Sequence, residues 1–233
     1  MSSAGIGVDY SEIHRIDSPA NRLLRKDVWP PGNDLGQQSF ATLRYFDEMV
    51  DRLGMAPGVR VLDIGSGSGG PAVYMASRSG CHMTGVEVNE VGVEVAQRIA
   101  ATSDLGDRIA FVQADGMAMP FGDASFDIAI SMNVMNVFPD KVAMFREVRR
   151  VLRPGGTWAF LSGTFDFGPG DDGARRMIEE GYAIRQYLDG LAGYKRMLSE
   201  AGFVVDEAIE YISDFRNQME RWLAAWITPR DAI

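Results

Sequence analysis

Val61-Leu62-Asp63-Ile64-Gly65-Ser66-Gly67-Ser68-Gly69-Gly70 is the stretch whose reading decides the fold. Val59, Val61, Leu62 and Ile64 form a short apolar run that ends in glycines, which predicts a buried strand turning sharply into a helix that starts near Pro71. Glycine lets the backbone approach a ligand with no Cβ in the way. The helix start behind it offers free N–H groups and partial positive charge. Such a turn suits either a diphosphate or the ribose and carboxylate of an amino-acid nucleoside. Gly65, Gly67 and Gly70 also satisfy the pattern G-x-G-x-x-G, which alone does not choose between those ligands.

Working outward, Phe40, Leu43, Phe46, Met49, Val50 and Leu53 recur at spacings of three and four and predict an amphipathic helix over 38–53. Gly54 ends it, and Pro57-Gly58 turn the chain into the glycine-loop strand. Downstream, strands are expected over 83–88, 109–113, 126–131 and 157–162, with helices over 91–101 and 142–152. Glu87 closes the second strand, Asp115 follows the third, and Pro154-Gly155-Gly156 stop the helix before the fifth. A loop over 163–173, a helical region over 175–202, a sixth strand over 203–209 and a last helix over 215–227 complete the reading. Strands alternating with helices in this rhythm imply an α/β, Rossmann-like doubly wound, mostly parallel sheet with helices on both faces. Its ligand crevice lies at the strand carboxyl ends.

Residues 1–37 read as an N-terminal arm or lid with a short helix near 21–27, and residues 38–233 as the main domain with a covering insertion at about 163–202. With 233 residues and 46% hydrophobic content, one domain is the expectation. A net charge of −9 argues against nucleic acid as a partner. Arg146, Arg149, Arg150 and Arg153 read as a solvated helix face. Cys81 is the only cysteine, which excludes an internal disulfide. There is neither a basic-then-apolar leader nor an apolar run of roughly 18 residues, so a cytoplasmic protein with no membrane partner is expected.

Five ordered features resemble the class I S-adenosylmethionine-dependent methyltransferases: the turn from Asp63 to Gly69, Glu87, Asp115, the pair Phe126-Asp127, and Leu152-Arg153-Pro154-Gly155-Gly156. The resemblance implies S-adenosylmethionine as cofactor. Glu87 would accept the ribose hydroxyls, Asp115 the adenine amino group, and Asp63 would support the turn or reach the ammonium. It also implies that Gly65, Ser66, Gly67, Val88, Gly116 and Asn133 lie at the cofactor. A nicotinamide-dependent (NAD(P)) oxidoreductase shares the turn and the acid, but it explains neither Asp115 nor Pro154-Gly155-Gly156. A partner protein that binds the cofactor without activity of its own is the other alternative.

Within the family the chain resembles the small-molecule branch of phosphoethanolamine and glycine or sarcosine N-methyltransferases and natural-product tailoring enzymes. A segment like 32–40 closes over the cofactor there, which implies that Gln37 and Gln38 lie near it. The acceptor, a small molecule, would be covered by the arm and the insertion, with Trp29, Phe165, Tyr182 and Tyr187 as lining residues. Many members of this branch carry a histidine after strand four, before a Pro-Asp pair. Here Asn133-Val134-Met135-Asn136-Val137-Phe138-Pro139-Asp140 has none. His14 and Tyr10, in the arm, are the candidate catalytic residues, whereas His82 opens strand two and reads as structural. The family's seventh strand also has no counterpart, and Trp222 and Trp226 suggest that the last helix serves as a lid or a homodimer surface. No metal site is expected.

Overall fold

The computed structural model describes residues 11, 14–16, 18, 25, 28–29, 32–37, 39, 41–164, 170–173, 176 and 185–211. The apolar runs become strands and the three-and-four periodic stretches become helices. In order they are α1 (Leu43–Leu53), β1 (Arg60–Ile64), α2 (Gly70–Ser79), β2 (His82–Glu87), α3 (Glu90–Ala101), β3 (Ile109–Gln113), β4 (Phe126–Met132), α4 (Lys141–Val151), β5 (Leu152–Leu161) and α5 (Leu191–Glu200). The five strands form one sheet in the order β3-β2-β1-β4-β5, and every neighbouring pair is parallel. The order reverses at β1, between β2 and β4. A crevice forms at such a point, because the connections leave the strand ends in opposite directions.

Alternation along the strands divides the core in two. Val61, Met83, Phe111 and Ile130 face Phe46, Met75 and Ala96 of α1, α2 and α3. Leu62, Val86 and Ala129 face Met144, Phe145 and Val148 of α4 and Leu198 of α5. Strands buried on both faces are apolar throughout, as expected of a parallel sheet. Asp63, two residues after Val61, is therefore carried on the α1–α3 side.

At the amino ends of the strands, Asp127 accepts from the amide of Arg60 at 2.7 Å and pairs with Arg153 Nε at 2.7 Å. The pairing of β4 with β5 jumps from Phe126↔Leu152 to Ile128↔Thr157, so Arg153-Pro154-Gly155-Gly156 bulge out of the ladder. Proline is tolerated there because its missing N–H has no ladder partner to lose. Phe126-Asp127 and the Arg-Pro-Gly-Gly run thus fasten the end of the sheet remote from the crevice.

Several expectations need correction. The first helix starts at Leu43 rather than residue 38, because side chains hold the preceding backbone in a loop: Asn33 Oδ1 accepts from Leu43 N at 3.1 Å and Ser39 Oγ from Ala41 N at 3.3 Å. Residues 185–190 are not helical, so the region 175–202 is not one continuous helix; its described regular part is α5. The sixth strand over 203–209 does not form. Val204 is 85% exposed there, and no ladder partner receives the segment. Side chains hold it instead. Phe203 packs on Trp158 at 5.3 Å, Arg52 pairs with Glu207 at 2.6 Å, and Tyr211 Oη donates to Glu48 at 2.6 Å.

Nor is Arg150 a solvated residue: it binds Glu147, Asp123 and the carbonyls of Phe121 and Met119, closing the loop before β4. The last helix over 215–227, with Trp222 and Trp226, lies outside the described residues, as does all of the arm helix over 21–27 except Arg25, which is helical. Among the described residues no helix is long and apolar enough to cross a membrane, and no metal-ligating cluster occurs.

Candidate functional site

β1 delivers Asp63 and the glycine turn to the carboxyl end of the sheet. β2 delivers Glu87 beside them. The amides of Gly65 and Ser66 both donate to the Val86 carbonyl, at 2.8 and 3.0 Å, which folds the turn back over the neighbouring strand. Glu87 is 7% exposed. Its Oε2 accepts from Gly67 N at 3.0 Å and its Oε1 from Asn89 N at 2.9 Å, so backbone groups aim the carboxylate.

Asp63 is 3% exposed, and its Oδ1 is buried with no hydrogen-bond partner. Burial, aided by the nearby charge of Glu87, pushes its carboxyl up to about 7. The hydroxyl of Ser66 is likewise buried and unpartnered. Two buried acids with an orphaned oxygen between neighbouring strand tips form a site that asks for a cation and for hydrogen-bond donors.

Farther along the same edge, Asp115 Oδ1 accepts from Met117 N at 2.9 Å, which shapes the turn after β3. Gly116 is required there, since a Cβ would fall 3.0 Å from Phe138 Cζ and 3.1 Å from Ile64 Cγ2. Val88 is 65% exposed although it follows the buried Glu87. An apolar side chain standing open between Glu87 and the Asp115 turn offers a platform for a flat ring.

The arm closes onto the back of the turn. A Cβ on Gly70 would lie 1.6 Å from the carbonyl oxygen of Leu35, so the third glycine of the motif serves the arm. Ser68 Oγ adds a hydrogen bond to the Gly36 carbonyl at 2.8 Å. Arg25 Nε pairs with Asp34 Oδ1 at 2.9 Å while its Nη2 reaches the Gln37 carbonyl at 3.0 Å. A recess of about 490 Å³ between Arg25, Asp34, Tyr74, Ser77 and Ile99 opens behind this contact, away from the strand tips.

His14 is 2% exposed. A Cβ on Gly67 would meet its Cε1 at 3.6 Å, and one on Gly92 its Nδ1 at 3.3 Å. Desolvation lowers its pKa while Glu87 opposes the shift. This location, beside Glu87 and α3, corrects the expectation that His14 faces an acceptor as a base. The side chain of Gln37 is also occupied: Nε2 donates to the carbonyls of Asn33 and Ala41 at 2.8 and 3.1 Å, and Oε1 accepts from Leu35 N at 2.7 Å. It shapes the loop and leaves no amide hydrogen for a ligand.

On the other side of β1, the tips of β4 and β5 are joined by side chains that sequence reading does not single out as a group. Asn133 takes a left-handed conformation (φ 56°) and donates its amide to Leu161 O at 2.8 Å. Tyr194 Oη bonds Asn136 Oδ1 at 2.9 Å and Ser162 Oγ at 3.1 Å. Lys141 Nζ, with a side chain only 3% exposed, donates to Tyr187 O at 2.6 Å and pairs with Asp189 at 2.9 Å. Tyr187 N donates to Asn136 O at 2.6 Å, so the end of the insertion is tied over the β4 loop. A lysine in the first turn of a helix opposes the helix dipole, which is the one sequence signal that marks Lys141 as having a specific partner.

Asp63, Gly65, Ser66, Gly67, Glu87, Val88, Asp115 and Gly116 thus gather along one edge, and Asn133 and Tyr187 on the other. Trp29, 5% exposed, is buried in the arm with its Nε1–H unpartnered. Tyr10, Gln38, Phe165 and Tyr182 lie outside the described residues.

The fold and the paired acids define a nucleoside-binding Rossmann-like domain. The family profile described as a methyltransferase domain matches residues 61–156. The chain is 36% identical over 179 residues to 27-O-demethylrifamycin SV methyltransferase of Amycolatopsis mediterranei (strain S699), covering 75% of this chain and 64% of that one. It is 32% identical over 202 residues to the methyltransferase GfsG of Streptomyces halstedii, covering 82% of this chain and 72% of that one. Among solved structures, that of the [4+2]-cyclase SpnF superposes with a TM-score of 0.73 at 26% identity, covering 95% of this chain and 83% of the other. The chain belongs to the S-adenosylmethionine-dependent methyltransferase family. The nicotinamide alternative falls with that assignment.

Proposed function

We propose that the protein moves a methyl group from S-adenosylmethionine to a small-molecule acceptor in specialised metabolism. The observation that carries this reading is Asp63, buried beside Glu87 with an oxygen that has no protein partner. S-adenosylmethionine supplies an activated methyl group, and it also brings an ammonium and two ribose hydroxyls that these acids lack. Asp63 holds the ammonium and Glu87 accepts from the hydroxyls. Val88 and the Gly116-Met117 backbone flank the adenine, whose amino group donates to Asp115. Gly65, Ser66, Gly67 and Asn133 line the path between them, with Gln37 and Gln38 in the loop above. His14 covers the Glu87 end, while Trp29, Phe165, Tyr182 and Tyr187 enclose the acceptor and Tyr10 remains the candidate base. Holding the two reactants in line and excluding water is the protein's principal contribution to such a displacement.

Titration calorimetry tests the reading. S-adenosylmethionine and S-adenosylhomocysteine should bind saturably and NADH should not; binding of NADH alone would overturn it. 27-O-demethylrifamycin SV is the first acceptor to try, with release of S-adenosylhomocysteine as the readout. The likeness to a [4+2]-cyclase supports a second reading, in which the cofactor is held and not consumed. Tight cofactor binding without methyl transfer to any acceptor favours it.

The proposal includes residues 1–37 as a lid, supported by the contact of Leu35 with Gly70, and the main domain over 38–233 with its acceptor cover at about 163–202. It also includes a cytoplasmic location without nucleic-acid partners, supported by the charge of −9, and a homodimer through the last helix, supported by the spacing of Trp222 and Trp226. Sedimentation velocity checks the dimer.

A further inference from the structure

The carboxyl ends of β4 and β5 carry a polar chain that cofactor binding does not use. Tyr194 is 2% exposed, and burial pushes its phenol up to about 12, so it keeps its proton and acts as a donor. Its hydrogen bond to Asn136 Oδ1 at 2.9 Å, backed by Ser162 Oγ at 3.1 Å, holds the Asn136 carboxamide in one orientation. The two hydrogens of Nδ2 meet no described residue. Asn136 is half-buried and Nδ2 is absent from the enclosed polar atoms, so it opens toward solvent.

The location is specific. Val134, two residues earlier, lies against the glycine turn, where a Cβ on Gly65 would fall 2.7 Å from its Cγ2. Asn136 is therefore near the turn but on the side of β1 opposite Glu87, beneath the segment that Tyr187 ties to its carbonyl at 2.6 Å.

We infer that Asn136, set by Tyr194, is an acceptor-positioning residue whose Nδ2 donates to the nucleophilic oxygen of a hydroxyl-bearing acceptor. The inference rests on the methyl-transfer reading and adds the class of atom methylated. An oxygen has two lone pairs. One accepts from Nδ2 while the other forms the new C–O bond; the C–S bond breaks with its electron pair going to sulfur, and the hydroxyl proton passes to solvent. An amine nitrogen has a single lone pair, which cannot both accept from Nδ2 and attack. The chain's two histidines lie elsewhere, His14 beside Glu87 and His82 at the amino end of β2. With no histidine beside it, the acceptor oxygen has to ionise readily, and phenols and enols meet that condition better than alkyl alcohols.

The test uses the whole chain saturated with S-adenosylhomocysteine and two probes, phenol and benzylamine, followed by ¹H–¹⁵N spectra of the Asn136 side chain. Phenol is expected to shift the Nδ2 signals and to bind about tenfold more tightly than benzylamine, a difference of about 1.4 kcal/mol. Asn136→Asp, nearly isosteric, exchanges the donor for an acceptor and should reverse that preference. Tyr194→Phe releases the carboxamide and should weaken phenol binding severalfold. Equal affinity for the two probes, unmoved Asn136 signals, or an Asp variant that binds phenol as the wild type does overturns the assignment. A wild-type chain that fails to bind S-adenosylhomocysteine overturns the methyl-transfer reading itself, so the two failures are distinguishable.

Discussion

The two sides of β1 meet their polar groups in opposite ways. On the β2–β3 side, acids are aimed by backbone amides and left short of partners: Glu87 takes one amide on each oxygen, and Asp63 has an oxygen with none. On the β4–β5 side, side chains from distant parts of the chain satisfy one another, as Lys141 does with Asp189 and Tyr194 with Asn136 and Ser162. The first arrangement stores an unmet need that a bound cation and its hydroxyls would answer. The second builds a fixed wall and leaves one donor facing outward. A site recognising a constant cofactor suits backbone placement, because strand register alone positions it. A wall that selects an acceptor depends on side chains, which can differ without disturbing the sheet.

Substitutions on the two sides should therefore separate cofactor affinity from the rest. Glu87→Ala has the largest expected effect, weakening S-adenosylmethionine by about 3 to 6 kcal/mol, since two hydrogen bonds to a charged group are lost at about 1.5 to 3 each. Unchanged affinity by calorimetry would remove Glu87 from the site.

Asp63 gives a pH signature. Its folded-state pKa is raised to about 7, so the stability associated with its protonated form is present below the unfolded value near 4 and is lost as pH rises from there through about 7. The ligand-free protein should lose on the order of 4 kcal/mol from this group between those limits, as a ceiling. Asp63→Asn should flatten that slope in urea titrations while weakening the cofactor, and added S-adenosylmethionine should restore the wild type at pH 8.

Lys141→Ala removes a buried cation and should cost about 3 kcal/mol of stability. S-adenosylhomocysteine affinity should stay within about twofold by the logic of independent, separated sites. A large loss of that affinity would break the division between the two sides. Asp115→Ala should have the smallest effect, about 1.5 to 3 kcal/mol on cofactor binding for one hydrogen bond to a charged group. Adenosine, tested alone, should lose the same amount if Asp115 meets the adenine.

The β2–β3 side is legible in the sequence, because each of its groups follows directly from a strand end. The spacing of Glu87 and Asp115 after the glycine turn assigns them to neighbouring tips, and the strands bring them there. Composition misreads the sixth strand for a related reason. Phe203, Val204 and Val205 have strand-like character, but a strand exists only where another strand receives it. Helical spacing misreads Arg150 because its partners Asp123 and Phe121 lie on a loop that no periodicity reveals.

The chain alone determined the parallel sheet, its topological turning point and the acids that face it, since these depend on periodicity, chain breakers and short spacings. Only the folded molecule decided that Gly70 makes room for the Leu35 carbonyl, that His14 lies against the glycine turn rather than opposite it, and that Tyr194 sets Asn136. Each of those contacts joins segments far apart in sequence. Their meeting depends on which elements share a face of the sheet, and local residue preferences carry no record of that.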